Sequence, residues 1–247
     1  MLIAINNGSN NYGNKMTILE TPKNLLEKTL ACLVVDRSGS MQGAPLKELN
    51  AGLRSFLDEI GSDSTLAQSL EVAIVAFDDT VDVLHTPALA EDIHFTDIEA
   101  GGSTKIVNAI AQGIAIVEDR KAYYKATSQP YKLPWIIVIT DGAPDSDQDV
   151  NGLAHEIEQL TKASKFMLLT IGVQGADMAV LNTLAGYKKG AGGVYSKVTP
   201  VMLSGTKFTE FFEWLSASMS AVVHSGDGQP VTMVSPVDSG WGTFPTM

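Results

Sequence analysis

Oxygen-bearing side chains follow a short apolar run near the start of the sequence. Asp36, Ser38 and Ser40 stand at every second position, so in an extended turn all three can point the same way. Gly39, between the two serines, lets the backbone fold tightly there. One carboxylate and two hydroxyls are donors that a small, hard cation binds. Taken alone, the segment is also compatible with an ordinary helix N-cap.

Two later segments of the chain add donors of the same kind. Thr104 closes a Gly-Gly-Ser-Thr segment, and Asp141 lies in a Thr-Asp-Gly segment that could by itself be a common turn. No His or Cys occurs in any of the three segments. Mg²⁺ or Mn²⁺ suits such a set, whereas Ca²⁺ typically takes more carboxylate and carbonyl oxygens. The sequence therefore predicts a Mg²⁺ or Mn²⁺ site, provided that the three segments meet.

The elements that must position these residues alternate between apolar runs and amphipathic stretches. Runs that are apolar throughout predict buried strands, and apolar residues at helical spacing predict helices. The predicted strands cover 29–35, 70–77, 81–85, 135–140, 166–173 and 193–198, and the predicted helices cover 45–60, a stretch from about 104, 150–163, 177–185 and 204–223. The order predicts an α/β fold with a doubly wound, mainly parallel sheet and helices on both faces. A hairpin at 78–80 predicts one antiparallel edge strand.

This fold would bring the three segments together. In an open parallel sheet, ligands bind at the carboxyl ends of the strands, where the loops converge. Each of the three segments lies in a loop that follows a predicted strand or precedes the next helix. Agreement between the residue types and the predicted topology favours one joint metal site over three unrelated caps and turns.

Composition limits the possible functions. The 247 residues are 45% hydrophobic, enough to bury a core. The net charge of −11 argues against binding to nucleic acid or to an anionic membrane surface. Cys32 is the only cysteine, which excludes an intramolecular disulfide and a Cys-based zinc site. Because the sequence begins with neither a basic leader nor a long apolar stretch, we expect a cytoplasmic protein.

Three parts of the chain are expected: an N-terminal extension over 1–28, one α/β domain over 29–223 and a C-terminal tail over 224–247. The tail contains Gly, Ser and Pro, no Lys or Arg, and two isolated aromatic residues, Trp241 and Phe244. This composition favours a frayed tail. The alternative is an extended arm that docks its aromatics on this domain or on a partner.

The three oxygen-bearing segments resemble the metal-ion-dependent adhesion site of von Willebrand factor A (VWA) domains. The matching segments are D-R-S-G-S at 36–40, G-G-S-T at 101–104 and T-D-G at 140–142, within a resemblance that covers about 29–223. The resemblance implies that four side chains hold the metal and that a fifth, Asp141, acts directly or through water. The four are Asp36, Ser38, Ser40 and Thr104.

The same resemblance implies what the site would do. Such sites leave one coordination position open for an acidic residue of a partner protein, so the implied activity is binding, and an enzyme is not expected. Ser103 departs from the commoner Gly-Gly-Thr, which leaves open whether Ser103 or Thr104 faces the metal.

A closer similarity is to the bacterial TerY-like (YegL-like) VWA proteins of tellurium-resistance type. The matching features are D-R-S-G-S-M followed by Gly43 and Pro45, V-A-I-V-A-F-D-D at 72–79, Tyr131 with P-W-I-I-V-I-T-D-G-A-P at 134–144, and G-W-G-T-F in the tail. This similarity implies a cytoplasmic protein that works with a Ser/Thr kinase and a PP2C-type phosphatase in stress or defence signalling.

Three other hypotheses remain open. A metal-dependent phosphate-ester hydrolase could use the same oxygens to activate water, although no general base or nucleophile is evident. Alternatively, the metal edge is structural and the binding surface is the tail or Trp214, which lies off the apolar stripe of the last predicted helix. An EF-hand over 145–156 is disfavoured because Val150 stands where the sharp turn requires Gly, so the acidic residues there predict a loop with Asp149 capping the next helix.

Overall fold

The computed structural model describes residues 21–141, 143–226 and 234–244, together with two short strands nearer the N-terminus. The strands are β1 (Ala4–Ile5), β2 (Thr17–Ile18), β3 (Thr29–Asp36), β4 (Leu70–Phe77), β5 (Val81–Leu89), β6 (Trp135–Thr140), β7 (Met167–Gly172), β8 (Tyr187–Lys189), β9 (Tyr195–Lys197), β10 (Val201–Leu203) and β11 (Gly242–Thr243). The helices are α1 (Ala44–Ser62), α2 (Leu66–Ser69), α3 (Ile106–Ala126), α4 (Val150–Lys162), α5 (Met178–Thr183) and α6 (Phe208–His224).

Seven strands form the main sheet, in the order β11-β10-β7-β6-β3-β4-β5. The five inner strands, from β10 to β4, run parallel. The hairpin strand β5 pairs antiparallel with β4, which confirms the predicted doubly wound α/β fold with an antiparallel edge. At the opposite edge, β11 from the tail adds a short antiparallel pair with β10 that the sequence analysis did not predict.

The core lies on both faces of this sheet, because the central strands are buried throughout. Every residue of β3 is buried, and successive side chains point to opposite faces. Leu33 and Val35 pack in the layer that contains α1 and α6, whereas Cys32 and Val34 pack in the layer that contains α3 and α4. The apolar surface buried on both faces is what holds the strand ends, and therefore the loops, in fixed positions.

The prediction of the last strand, over 193–198, is wrong about the sheet to which it belongs. Residues 195–197 do form a strand, β9, but it pairs antiparallel with β8 in a separate two-stranded sheet. Gly192 and Gly193, both with positive φ, make the turn between β8 and β9, a conformation that glycine adopts without steric cost. The last parallel strand of the main sheet is β10, which pairs with β7.

The interpretation of the tail as frayed is wrong for residues 234–244. Trp241 is fully buried, with its ring centroid 5.0 Å from that of Phe211 and 5.1 Å from that of Trp214. The indole NH of Trp214 donates to the Val234 carbonyl at 2.8 Å, so Trp214 is a buried contact of the tail and not an exposed anchor. Phe244 is exposed. The docked-arm alternative therefore describes this segment.

Within the described part of the chain, no helix is both long enough and apolar enough to cross a membrane.

Candidate metal centre

The first loop of the candidate site begins where β3 ends. Asp36 is the last residue of β3 and is fully buried, and its Oδ1 accepts a 2.7 Å hydrogen bond from the Ser38 backbone NH. Ser38 and Ser40 lie on either side of Gly39, and their hydroxyl oxygens are 3.0 Å apart. The loop therefore places all three predicted donors of this segment together.

Backbone hydrogen bonds join the second loop to the first. The Gly39 NH donates to the Gly102 carbonyl at 3.2 Å, and the Gly101 NH donates to the Arg37 carbonyl at 2.9 Å. Gly102 has φ +63°, and a Cβ there would lie 2.8 Å from the Asp79 backbone nitrogen, so only glycine fits. This junction brings Thr104, which is buried, to the same edge of the sheet.

The third loop joins the first through side chains. Because β6 pairs in parallel with β3, the ends of both strands lie side by side. The Ser40 hydroxyl donates to Asp141 Oδ1 at 2.7 Å, and the Thr140 hydroxyl donates to Asp36 Oδ2. The structure thus links Asp36, Ser38, Ser40 and Asp141 by hydrogen bonds, although they are up to about a hundred residues apart in the chain.

Ser103 and Thr104 differ in their surroundings. Ser103 is exposed, and its hydroxyl donates to Asp145 Oδ2 at 2.7 Å. Thr104 is buried in the loop that is bonded to the Asp36 loop. This arrangement favours Thr104 as the hydroxyl donor of the second loop.

Burial sets the electrostatics of the two carboxylates. Loss of solvent raises the pKa of Asp36, and the negative charge of Asp141 raises it further, against the lowering effect of hydrogen bonds from Ser38 and Thr140. Burial likewise raises the pKa of Asp141, against the hydrogen bond from Ser40. Both carboxylates are therefore held in a place where their negative charge is unfavourable without a cation.

The neighbouring basic side chains do not supply that cation. Arg37 binds Asp78, with 3.0 Å between Nε and Oδ2, and also contacts Asp82. Lys105 binds Asp145 at 3.2 Å and Asp147 at 2.8 Å. Among the described residues, no ion pair involves Asp36 or Asp141.

The donor set fits a small divalent cation. In the described part of the chain, no group of three or more His, Cys, Asp or Glu side chains could hold a metal, so a metal at this edge would depend on hydroxyls beside the two carboxylates. Two buried carboxylates that have no basic partner among the described residues, next to serine and threonine hydroxyls, match the oxygen preference of Mg²⁺ or Mn²⁺.

The acidic loop at 145–149 has partners of its own. Asp145 and Asp147 bind Lys105, and Asp149 Oδ1 accepts from the Gly152 NH at 2.8 Å at the start of α4. The prediction that Asp149 caps this helix is confirmed.

Two features of this edge were not predicted from the sequence. Thr140, which precedes the predicted donor Asp141, donates its hydroxyl to Asp36. Asp78, at the end of β4, binds Arg37. The signal for Asp78 was available, because the strand at 70–77 runs directly into two aspartates and so ends at the same edge.

Comparison with protein families identifies the fold. The model of the von Willebrand factor type A domain family matches residues 32–202, which is more than half of the chain. The chain belongs to this family. Comparison with curated protein sequences gives no match.

Three solved structures are similar to this chain in fold. The pilus adhesin SpaC of Lactobacillus rhamnosus GG superposes with a TM-score of 0.60 at 13% identity, covering 83% of this chain and 31% of the adhesin. A von Willebrand factor type A protein from Catenulispora acidiphila gives 0.53 at 19% identity, with coverage of 79% and 43%. The PilB minor pilin of Streptococcus sanguinis gives 0.54 at 12% identity, with coverage of 85% and 66%. The chain spans less than half of the first two proteins, and these identities establish the fold alone.

Proposed function

We propose that this VWA domain is a metal-dependent protein–protein interaction module. It binds Mg²⁺ or Mn²⁺ through side chains of the three loops and, through the metal, an acidic residue of a partner protein. The proposed metal-binding side chains are Asp36, Ser38, Ser40, Thr104 and Asp141. The observation that carries the proposal is the pair of buried carboxylates, Asp36 and Asp141, without a basic partner among the described residues.

Charge explains why such a site would bind an acidic partner. Two carboxylates nearly neutralise a divalent cation, yet the bound metal still attracts one more anion, because the hydroxyl ligands add no charge of their own. Arg37 and Lys105 are bound to other carboxylates and do not compete with the metal for Asp36 or Asp141. The metal would therefore be the main positive charge at this edge, and the acidic side chain of the partner would bind to it.

The same residues favour binding over turnover. Hydrolysis would need a nucleophile or a general base beside the oxygens, and none of the four histidines of the sequence lies in the three loops. The Ser40 hydroxyl donates to Asp141, and the Ser38 hydroxyl is paired with that of Ser40, so neither serine is shown beside a histidine base.

The proposed biological setting follows from the similarity to TerY-like proteins. The segments D-R-S-G-S-M at 36–41 and V-A-I-V-A-F-D-D at 72–79 support a cytoplasmic role in bacterial stress or defence signalling, with a Ser/Thr kinase and a PP2C-type phosphatase as partners. Coding sequences for such enzymes beside the gene for this chain would support that setting, and their absence would count against it.

A peptide-display screen tests the binding proposal. The full chain is immobilised with Mg²⁺ and exposed to a random peptide library, and bound peptides are eluted with EDTA. We expect the eluted peptides to require an Asp or Glu, so that replacement by Asn or Gln abolishes binding. Asp141→Asn should retain none of them, whereas the matched control Asp147→Asn, in the neighbouring loop, should bind as the wild type does.

Two outcomes would overturn the proposal. Equal retention of peptides in EDTA and in Mg²⁺ would remove the metal from the interaction. Hydrolysis of p-nitrophenyl phosphate that requires both Mg²⁺ and Asp141 would replace the binding function with the phosphate-ester hydrolase.

A further inference from the structure

Positive charge is concentrated in one stretch of an otherwise acidic chain. Residues 159–209 contain six lysines and a single acidic residue, Asp177, although the net charge of the whole chain is −11. Most of these lysines lie on or beside the β8–β9 hairpin, namely Lys162, Lys165, Lys188, Lys189 and Lys197.

The hairpin lies at the opposite end of the sheet from the candidate metal centre. A Cβ on Gly186, just before β8, would be 3.1 Å from the Leu168 side chain, near the beginning of β7. The Tyr195 hydroxyl of β9 donates to the Lys162 carbonyl at 2.8 Å, at the last residue of α4. Asp36 and Asp141, by contrast, lie at the carboxyl ends of β3 and β6. We call this end of the molecule the basic pole and define it by Lys165 and the hairpin residues 187–197.

The lysines of the basic pole differ from Lys105 at the metal edge in their ion pairs. Among the described residues, no ion pair involves Lys165, Lys188, Lys189 or Lys197. All but Lys197, which is half-buried, are exposed. The charge of the three exposed lysines, Lys165, Lys188 and Lys189, is therefore available to an anionic surface outside the chain.

Exposed aliphatic side chains accompany these lysines. Val194, next to the glycine turn of the hairpin, is 69% exposed. Leu25, Leu26 and Leu133 are 72%, 47% and 41% exposed at the same end of the sheet. Large apolar side chains next to unpaired lysines are typical of an interaction surface.

Backbone hydrogen bonds place these leucines in one row with the lysines. The Lys132 NH donates to the Lys28 carbonyl at 2.8 Å, so the segments that carry Leu26 and Leu133 run side by side. The Met167 NH donates to the Pro134 carbonyl at 2.8 Å, which joins the segment that carries Lys165 to the segment that carries Leu133. The row continues through the start of β7 to the hairpin.

We propose that the basic pole binds an anionic lipid surface. The lysines would contact the lipid headgroups, and Val194 with the exposed leucines would enter the boundary between headgroups and acyl chains. A lysine held near an anionic surface contributes a factor of about five to binding, and its long aliphatic stem can lie in the apolar layer while its ammonium group stays among the headgroups.

A lipid surface suits this pole better than an acidic protein does. The aliphatic residue lies at the turn of a hairpin whose described residues from 188 to 196 are exposed, so it fits a surface that deforms around it. The overall acidity does not prevent this binding, because the metal edge is separated from the pole by the length of β7, about 20 Å, and charges are screened within about 8 Å at physiological salt. In this orientation the metal edge points away from the lipid.

Vesicle co-sedimentation of the full chain tests the proposal, in EDTA so that the metal edge plays no part. We expect binding to vesicles of phosphatidylcholine with phosphatidylglycerol and none to vesicles of phosphatidylcholine alone. Lys189→Glu should weaken binding about tenfold, while the matched control Lys47→Glu, an exposed lysine of α1, should leave it unchanged. Val194→Ser, which changes no charge, should weaken binding about fivefold. Circular dichroism would verify that each variant is folded.

Each contrary result overturns the proposal. Equal binding to neutral and to anionic vesicles would show that the lysines play no role. A loss of binding in Lys47→Glu as large as that in Lys189→Glu would show an attraction that is not specific to this pole. An absence of binding to either vesicle would exclude the lipid. Loss in Lys189→Glu without loss in Val194→Ser would indicate an acidic macromolecule in place of the membrane.

Discussion

Two buried carboxylates, at opposite ends of neighbouring strands, differ in the charge of the groups that bind them. Glu71, near the start of β4, is almost fully buried and binds Arg120, with 2.6 Å between Nε and Oε2, while the Tyr124 hydroxyl donates to the same oxygen at 2.6 Å. Asp36, at the end of β3, is fully buried, and its donors among the described residues are neutral groups of Ser38 and Thr140.

Glu71 is neutralised by a cation of the chain itself, whereas no ion pair among the described residues neutralises Asp36. A buried ion without a counter-charge costs several kcal/mol, and Arg120 offsets that cost for Glu71. At Asp36 the adjacent cation, Arg37, is bound to Asp78 instead. In our proposal the missing charge at Asp36 is supplied by a divalent metal, so changes at the two carboxylates should have opposite consequences.

The largest effect is expected at Glu71. Arg120→Met leaves this carboxylate buried without its cation and should lower the free energy of unfolding by about 3–5 kcal/mol in urea denaturation. Arg54→Met, which breaks the exposed pair with Asp97, is the control and should cost at most about 1 kcal/mol. Adding Glu71→Gln to Arg120→Met should recover part of the loss. A loss below about 1 kcal/mol in Arg120→Met would show that Glu71 is not held by its ion pair.

At the metal edge, removal of a charge should not destabilise the protein. Asp141→Asn can keep the hydrogen bond from Ser40 through its amide oxygen and removes a repulsive neighbour of Asp36, so its melting temperature in EDTA should equal or exceed that of the wild type. Mg²⁺ at a hundred times its Kd should stabilise the wild type by about 2.7 kcal/mol and Asp141→Asn not at all. Thermal melts with and without Mg²⁺ give both values.

Asp147→Asn is the control for this experiment, because it removes an acidic charge of the neighbouring loop while Lys105 keeps its ion pair with Asp145, so it should respond to Mg²⁺ as the wild type does. A clear loss of stability of Asp141→Asn in EDTA, with an undiminished response to Mg²⁺, would contradict the proposal that a bound metal supplies the positive charge at this edge.

A smaller effect is expected when Arg37 is released. Asp78→Asn weakens the bond that holds the guanidinium, which then competes with the metal for the carboxylate next to it in the chain. We expect Mg²⁺ affinity, measured by calorimetry, to fall about three- to tenfold, since a partly solvated cation competes with about 1 kcal/mol. Asp97→Asn, which releases Arg54 far from the loops, should not change the affinity. Unchanged affinity in Asp78→Asn would mean that Arg37 does not reach the site.

The smallest effect is a dependence on pH. Burial alone would raise the pKa of Asp78, but hydrogen bonds from the Thr80 NH and from Arg37 outweigh it and lower this pKa. Because the pKa is lower in the folded state, the stabilisation is complete above the unfolded value of about 3.9 and is lost as the pH falls through the folded value. The stability difference between wild type and Asp78→Asn, measured by urea denaturation, should therefore shrink in acid. A difference that is constant between pH 6 and about pH 3 would contradict the lowered pKa.

The main elements could be predicted because their patterns are local. The strands β4 and β6 begin and end at the predicted residues, where apolar runs are bounded by polar residues or proline. The short strands β9 and β10 have three residues each, too few to show a periodicity, so the last parallel strand was misplaced. The burial of Trp241 could not be predicted either, because it depends on Phe211 and Trp214 from a distant helix.

The sequence by itself determined which oxygen donors the chain carries and that each lies at the end of a strand or just before a helix of a mainly parallel α/β fold, since both properties belong to short segments. Only the tertiary structure decided the partners of the basic side chains. Arg37 binds Asp78 and Arg120 binds Glu71, whereas four lysines lie at one end of the molecule and form no ion pair among the described residues. The physical reason is that hydrophobic periodicity acts between neighbours along the chain, whereas electrostatic pairing depends on distances through space that only the packed sheet defines.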